Sequence, residues 1–154
     1  MDYTTLLIEA DNNNLITKDK PLRANDGRIK GNRIAIRANL NTTEKKCVLA
    51  EELGHFYTSI GDIMDQSTVE NRKQEQRARE WAFNKLIGLC GLINAYKAGC
   101  QNTHEVAEHL EITEEFLSEA LTYYRRKYGE CVSVDNYVIY FEPHLGVLDL
   151  KRSI

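Results

Sequence analysis

Residues 69–96 carry the longest helical periodicity in the chain, and the apolar side of that helix is lined with small residues. Counted from Glu75, Ala78, Ala82 and Leu86 fall at i+3, i+7 and i+11, a single stripe down one face. Two alanines in that stripe let another helix approach closely. Gly88 and Gly91 are the positions where this stretch can break. A second helix is expected from an N-cap at Thr42 or Thr43, with Glu44 in its first turn, to about Ser59. Leu49, Leu53 and Phe56 recur at i, i+4 and i+7 as its core stripe.

Shorter signals flank these helices. Residues 2–12 suit a short opening helix, stopped by Asn12-Asn13-Asn14. Residues 27–30 and 33–37 read as a hairpin about Gly31-Asn32, with Ile34 and Ile36 on one face and Arg33 and Arg37 outward. Helices are expected at 103–110 and 113–127, closing at Gly129. Two short strands follow within 131–141 around Asp135-Asn136, with a third at 145–150. Early strands, a helical middle and a late hairpin point to an α+β fold. The 154 residues suit one domain overall, with a core over 1–100 and a helical and hairpin extension over 101–154.

Composition narrows the function classes. Twenty Lys and Arg against 23 Asp and Glu give a net charge of −3, which argues against a strongly basic nucleic-acid binder. No run of 18 apolar residues and no basic leader precedes the first helix, so neither a membrane span nor a signal peptide is expected. The four cysteines, Cys47, Cys90, Cys100 and Cys131, are too widely spaced for paired Cys-x-x-Cys zinc binding and read as buried, reduced thiols of a cytoplasmic protein.

Chemistry concentrates on the second helix. Glu51 and His55 lie about 40° apart on one face, with Glu52 within about 100° of them. That is the spacing of a zincin helix, in which residues i and i+4 hold zinc and an intervening Glu activates water. Here Glu51 occupies the first of those positions. Two Glu and one His on a helix are more often a solvated face. Glu75 changes the balance: it lies on the stripe of Ala78 and Ala82, where a carboxylate is costly unless paired or metal-bound.

The string Cys47-Val48-Leu49-Ala50-Glu51-Glu52-Leu53-Gly54-His55-Phe56-Tyr57, followed by Glu75-Gln76-Arg77-Ala78-Arg79-Glu80-Trp81-Ala82-Phe83, resembles the ImmA/IrrE metallo-endopeptidases. Residues 27–36 and Gly61-Asp62-Ile63-Met64-Asp65-Gln66 resemble the short versions carried by phages and integrative elements of Gram-positive bacteria. The resemblance covers most of the chain and is specific over 26–87. It implies a mainly helical, minimal gluzincin-like fold with a small antiparallel N-terminal sheet, helix-turn-helix-like helices and a C-terminal hairpin. It also implies His55 as second metal ligand, Glu75 as third and Glu52 as general base, with Glu51 where the first His ligand stands. The implied activity is cleavage of a helix-turn-helix repressor of a phage or mobile element.

Glu at position 51 has chemical consequences. Two carboxylates and one imidazole neutralise a +2 ion, so zinc would polarise a carbonyl less, and oxygen donors shift preference toward manganese or another divalent cation. The rival expectation is therefore a weakened or inactive relative that binds the repressor without cutting it. Strand 33–37 could align an extended substrate by edge addition. Donors to the developing oxyanion, or outer supports of the site, could come from Tyr57, Asp62, Tyr137, Tyr140 or His144. Residues 103–127 have helix-turn-helix spacing, but positions 102–124 hold six Glu and no Lys or Arg. Phosphate would repel that surface, so no direct nucleic-acid partner is expected, and a basic protein partner suits it better.

Overall fold

The computed structural model describes residues 1–59 and 68–151. They form an α+β fold in two compact units, Met1–Lys85 and Leu86–Ile154.

The first unit opens with α1 (Tyr3–Asn12), capped by Asp2, whose carboxylate accepts from the Thr5 amide at 2.8 Å. Strands β1 (Ile16–Lys20), β2 (Gly27–Lys30) and β3 (Arg33–Arg37) follow in the sheet order β1-β3-β2. The expected antiparallel pair is there, with Ile29 opposite Ile34 and Gly27 opposite Ile36. Gly31, at φ +60°, supplies the left-handed turn residue between the two strands. A third strand, β1, pairs parallel to β3, with Ile16 opposite Arg33 and Lys20 opposite Arg37. It makes the sheet mixed and puts β3 in the middle. Edge addition at 33–37 is thereby excluded, because both of its ladders are taken; the described strand with an open edge beside the second helix is β2.

Ile34 and Ile36 turn inward and are fully buried against α2 (Thr42–Thr58). The cap of α2 is Asn41, not a threonine. Its Oδ1 accepts from the Glu44 amide at 2.8 Å, while its own amide donates to Glu44 Oε1 at 3.1 Å. This reciprocal box satisfies two helix-end donors at once, which a threonine one residue later cannot do with the same Glu. Leu49 and Leu53 are buried, but Phe56 is exposed where the helix leaves the core.

Helix α3 (Thr68–Leu86) buries Ala78, Ala82 and Leu86, the stripe read from sequence. It crosses α2 at Gly54. A Cβ on Gly54 would lie 2.9 Å from the Ala78 carbonyl carbon and 3.0 Å from its Cα. Glu75 sits one turn before the buried stripe, at its exposed rim rather than inside it.

In the second unit, α4 (Gly88–Lys97) starts at Gly88, at φ +63°, with Ile87 as its N-cap. Its Cys90 is exposed, as is Cys131, and Cys100 is half-buried, so of the four cysteines expected inside only Cys47 is buried. Helices α5 (Thr103–Leu110) and α6 (Glu114–Tyr128) bury Val106, Ala107, Phe116, Leu117, Ala120 and Tyr124. Thr113 caps α6 and Gly129 ends it. Strands β4 (Cys131–Val134), β5 (Tyr137–Tyr140) and β6 (Gly146–Asp149) make an antiparallel meander in chain order. Asp135, at φ +53°, makes the tight turn from β4 to β5. Among the described residues no helix is long and apolar enough to cross a membrane.

Candidate metal centre

Helix periodicity brings Glu51, Glu52 and His55 to the side of α2 that faces β2 and α3. The three line one open recess of about 430 Å³, together with Gly27, Glu75 and Arg79. His55 Nε2 and Glu75 Oε2 are 3.1 Å apart, although 20 positions separate them in sequence. The Gly54–Ala78 crossing makes this possible, since it holds the two backbones together one residue before His55 and three after Glu75.

Glu52 is buried beneath β2. A Cβ on Gly27 would fall 2.9 Å from Glu52 Oε1, so the strand can lie over the carboxylate only because residue 27 has no side chain. Burial pushes the Glu52 carboxyl up to about 7; the Glu51 and Glu75 charges push the same way, and His55 opposes them. His55 is raised above the ordinary histidine value, first by its hydrogen bond to Glu75 and against the effect of burial. Glu75 is lowered by the same bond, with help from the charges of His55 and Arg79. Both shifts favour the charged forms, imidazolium on His55 and carboxylate on Glu75, when no cation is bound.

The donor set suits a divalent cation in kind and, for two members, in distance. Nitrogen and oxygen ligands at about 2.0–2.2 Å from a tetrahedral ion lie about 3.3 Å from one another. His55 and Glu75 are already near that separation. Glu51 adds a second carboxylate at the same recess. Among the described residues, no three His, Cys, Asp or Glu side chains yet converge on one point. His55 and Glu75 would hold the ion in place of their mutual hydrogen bond, with Glu51 the further carboxylate at the recess.

The other sequence candidates are placed elsewhere. The Tyr57 hydroxyl accepts from Asn13 Nδ2 at 2.7 Å, and its ring stacks on Trp81 at 4.9 Å; it does not line the recess. Tyr137 and Tyr140 lie on β5 and His144 in the exposed turn that follows, all in the second unit. Lys97 Nζ sits 5.2 Å from the Tyr137 ring centroid. Asp62 lies outside the described residues. Sequence reasoning missed two contributors. Arg79 follows Glu75 by one helical turn, so i, i+4 charge pairing was the available signal; its Nε is buried with no hydrogen-bond partner among the described residues. In the sequence Gly27 marks a strand start, although a glycine inside a strand also signals close backbone approach.

The family model for the peptidase family M78, described as the IrrE N-terminal-like domain, matches residues 10–122. No curated protein and no solved structure matches the chain at a significant level.

Proposed function

Since this chain belongs to the IrrE N-terminal-like peptidase family, we propose that it is a metal-dependent endopeptidase whose centre is Glu51, Glu52, His55 and Glu75. The observation that carries this reading is the meeting of His55 Nε2 with Glu75 Oε2 at 3.1 Å beside a buried Glu52. His55 and Glu75 hold the cation, with Glu51 as the third donor. Zinc suits the imidazole, and the two carboxylates make manganese or another divalent cation the alternative. When bound, the metal supplies Lewis acidity toward the scissile carbonyl and lowers the pKa of water.

The remaining chemistry belongs to the chain. Glu52, which burial pushes up to about 7, takes a proton from the attacking water on its ionised carboxylate and delivers it to the leaving amine nitrogen. The hydrogen bond from His55 favours the ionised form of Glu75, and the charge of Arg79 adds to it. The open edge of β2 gives an extended substrate a ladder to pair with beside the recess. Gly27, on that strand, puts no side chain of its own over the Glu52 carboxylate.

The substrate we assign is a helix-turn-helix repressor of a phage or mobile element, cut in the cytoplasm. Support comes from the likeness of residues 26–87 to the short phage and integrative-element versions of the family. The second reading, binding without cleavage, is favoured by Glu51 alone, since its charge offsets that of the ion. Incubating the protein with the repressor encoded beside it, with and without a chelator, tests both. Chelator-sensitive cleavage that Glu52→Gln abolishes supports the peptidase. A stable complex without cleavage supports the rival, and neither cleavage nor a complex refutes the assigned substrate.

A further inference from the structure

Strand alternation sorts the charges of the N-terminal sheet by face. Ile34 and Ile36 point to the core, so their neighbours along β3 point out, and the register carries that outward face to β1 and β2. Lys18 and Lys20 on β1, Arg28 and Lys30 on β2, and Arg33 on β3 all emerge there, and all are exposed. They line one shallow recess of about 420 Å³, floored by Ile16 and Ala35. The carboxylate of β1, Asp19, alternates to the other face, where it takes Lys45 Nζ at 2.9 Å. Arg37, a sixth outward cation, is engaged by Asp26 at 3.2 Å. Among the described residues none of the other five forms an ion pair. Lys30 stands directly opposite Arg33 in the ladder, a like-charge pair that weakens the sheet unless an anion covers it.

We propose that this face binds the phosphate backbone of duplex nucleic acid without reading its sequence. Its outward positions hold no aromatic ring for base stacking and no amide for base-edge hydrogen bonds, so charge supplies the attraction. A duplex presents one negative charge per about 1.7 Å of its axis. A fully acidic peptide strand presents one per about 3.3 Å. The cations spread over three strands instead of following one open edge, which suits a broad, densely charged partner. The overall charge of −3 hides this face, where Asp26 on Arg37 is the one carboxylate paired with an outward cation among the described residues. Of the five cations only Arg28 also lines the recess of His55 and Glu75; Lys18, Lys20, Lys30 and Arg33 lie outside it, so the inference does not depend on the peptidase reading.

The test is fluorescence anisotropy of the full chain with two labelled duplexes of unrelated sequence, between 50 and 200 mM NaCl. Equal affinity for both is expected, with log K falling against log salt at a slope near −4.5 if all five cations meet phosphates, a loss of roughly 500-fold over that range. Lys18→Gln/Lys20→Gln should reduce the steepness of that slope by about 2 while leaving the unfolding midpoint in place. Lys18→Glu/Lys20→Glu should weaken binding further. No binding at 50 mM salt, a flat salt dependence, a preference for one duplex, or an unchanged Lys18→Gln/Lys20→Gln variant would each overturn the proposal. So would displacement of the duplex by polyglutamate at equal charge, which would make the partner an acidic polypeptide.

Discussion

Gly54 of α2 rests on the backbone of Ala78 in α3, with room for a hydrogen and none for a methyl group: a Cβ there would lie 3.0 Å from the Ala78 Cα. The neighbour is backbone, which cannot swing aside as a long side chain can. Gly54→Ala tests what this contact does. Helix propensity alone favours alanine by about 1 kcal/mol. Overpacking against an immobile carbonyl costs about 1–3 kcal/mol, so the sign expected from urea unfolding is net destabilisation. Metal affinity should fall with it, because the methyl group pushes Glu75 away from His55. A stabilised variant with unchanged affinity would show that the crossing does not set the site.

Glu52 makes stability depend on pH. Its folded pKa, about 7, lies above the ordinary 4.5, so the unfolded chain loses this proton first as pH rises. The metal-free protein therefore loses stability between pH 4.5 and 7, on the order of 2–4 kcal/mol for this group, and the loss is complete above. Glu52→Gln removes the buried charge. In chemical unfolding without metal, it should be more stable than the parent at pH 8 and close to it at pH 4.5, while losing peptide cleavage. Parallel stability curves for the two proteins would refute the burial argument.

His55 and Glu75 act in a different window. The raised His55 contributes stability that is full below its unfolded value of 6.5 and lost as pH rises through its folded value. The lowered Glu75 contributes stability that is present above 4.5 and lost as pH falls through its folded value. A double-mutant cycle with His55→Gln and Glu75→Gln should therefore show its largest coupling between pH 4.5 and 6.5. Coupling that persists undiminished at pH 9 would mean that the contact is not an ion pair.

What the sequence made legible follows from how each feature is encoded. α2, α3 and the β2–β3 hairpin are written in periodic apolar positions, and so are the helices of the second unit. β1 was not legible, since Ile16-Thr17-Lys18-Asp19-Lys20 has one apolar residue, itself exposed, and pairs through its backbone. Glu51, Glu52 and His55 come to one recess by the helical spacing legible in the sequence; Glu75 joins them from the exposed rim of α3, not from the buried stripe on which the sequence puts it. Arg79 and Gly27 join the recess only through tertiary approach, which no local pattern announces. The basic sheet face escaped notice for another reason: net charge averages over faces that strand alternation separates.

Glu51→His addresses the metal preference. Replacing one carboxylate by a neutral imidazole leaves the bound ion with a net +1 and offers zinc a second nitrogen. Competition titration should show zinc affinity rising by at least about tenfold, ~1.4 kcal/mol, with manganese binding weakened. Unchanged affinity for both ions would place Glu51 outside the coordination sphere.

The most direct measurement is anomalous scattering from crystals of the full chain grown with zinc. The account predicts one peak in the recess between α2 and α3, within about 2.2 Å of His55 Nε2 and of a Glu75 oxygen, with Glu51 turned toward it. A recess that stays free of anomalous signal at saturating zinc, with His55 and Glu75 still joined 3.1 Å apart, would contradict it.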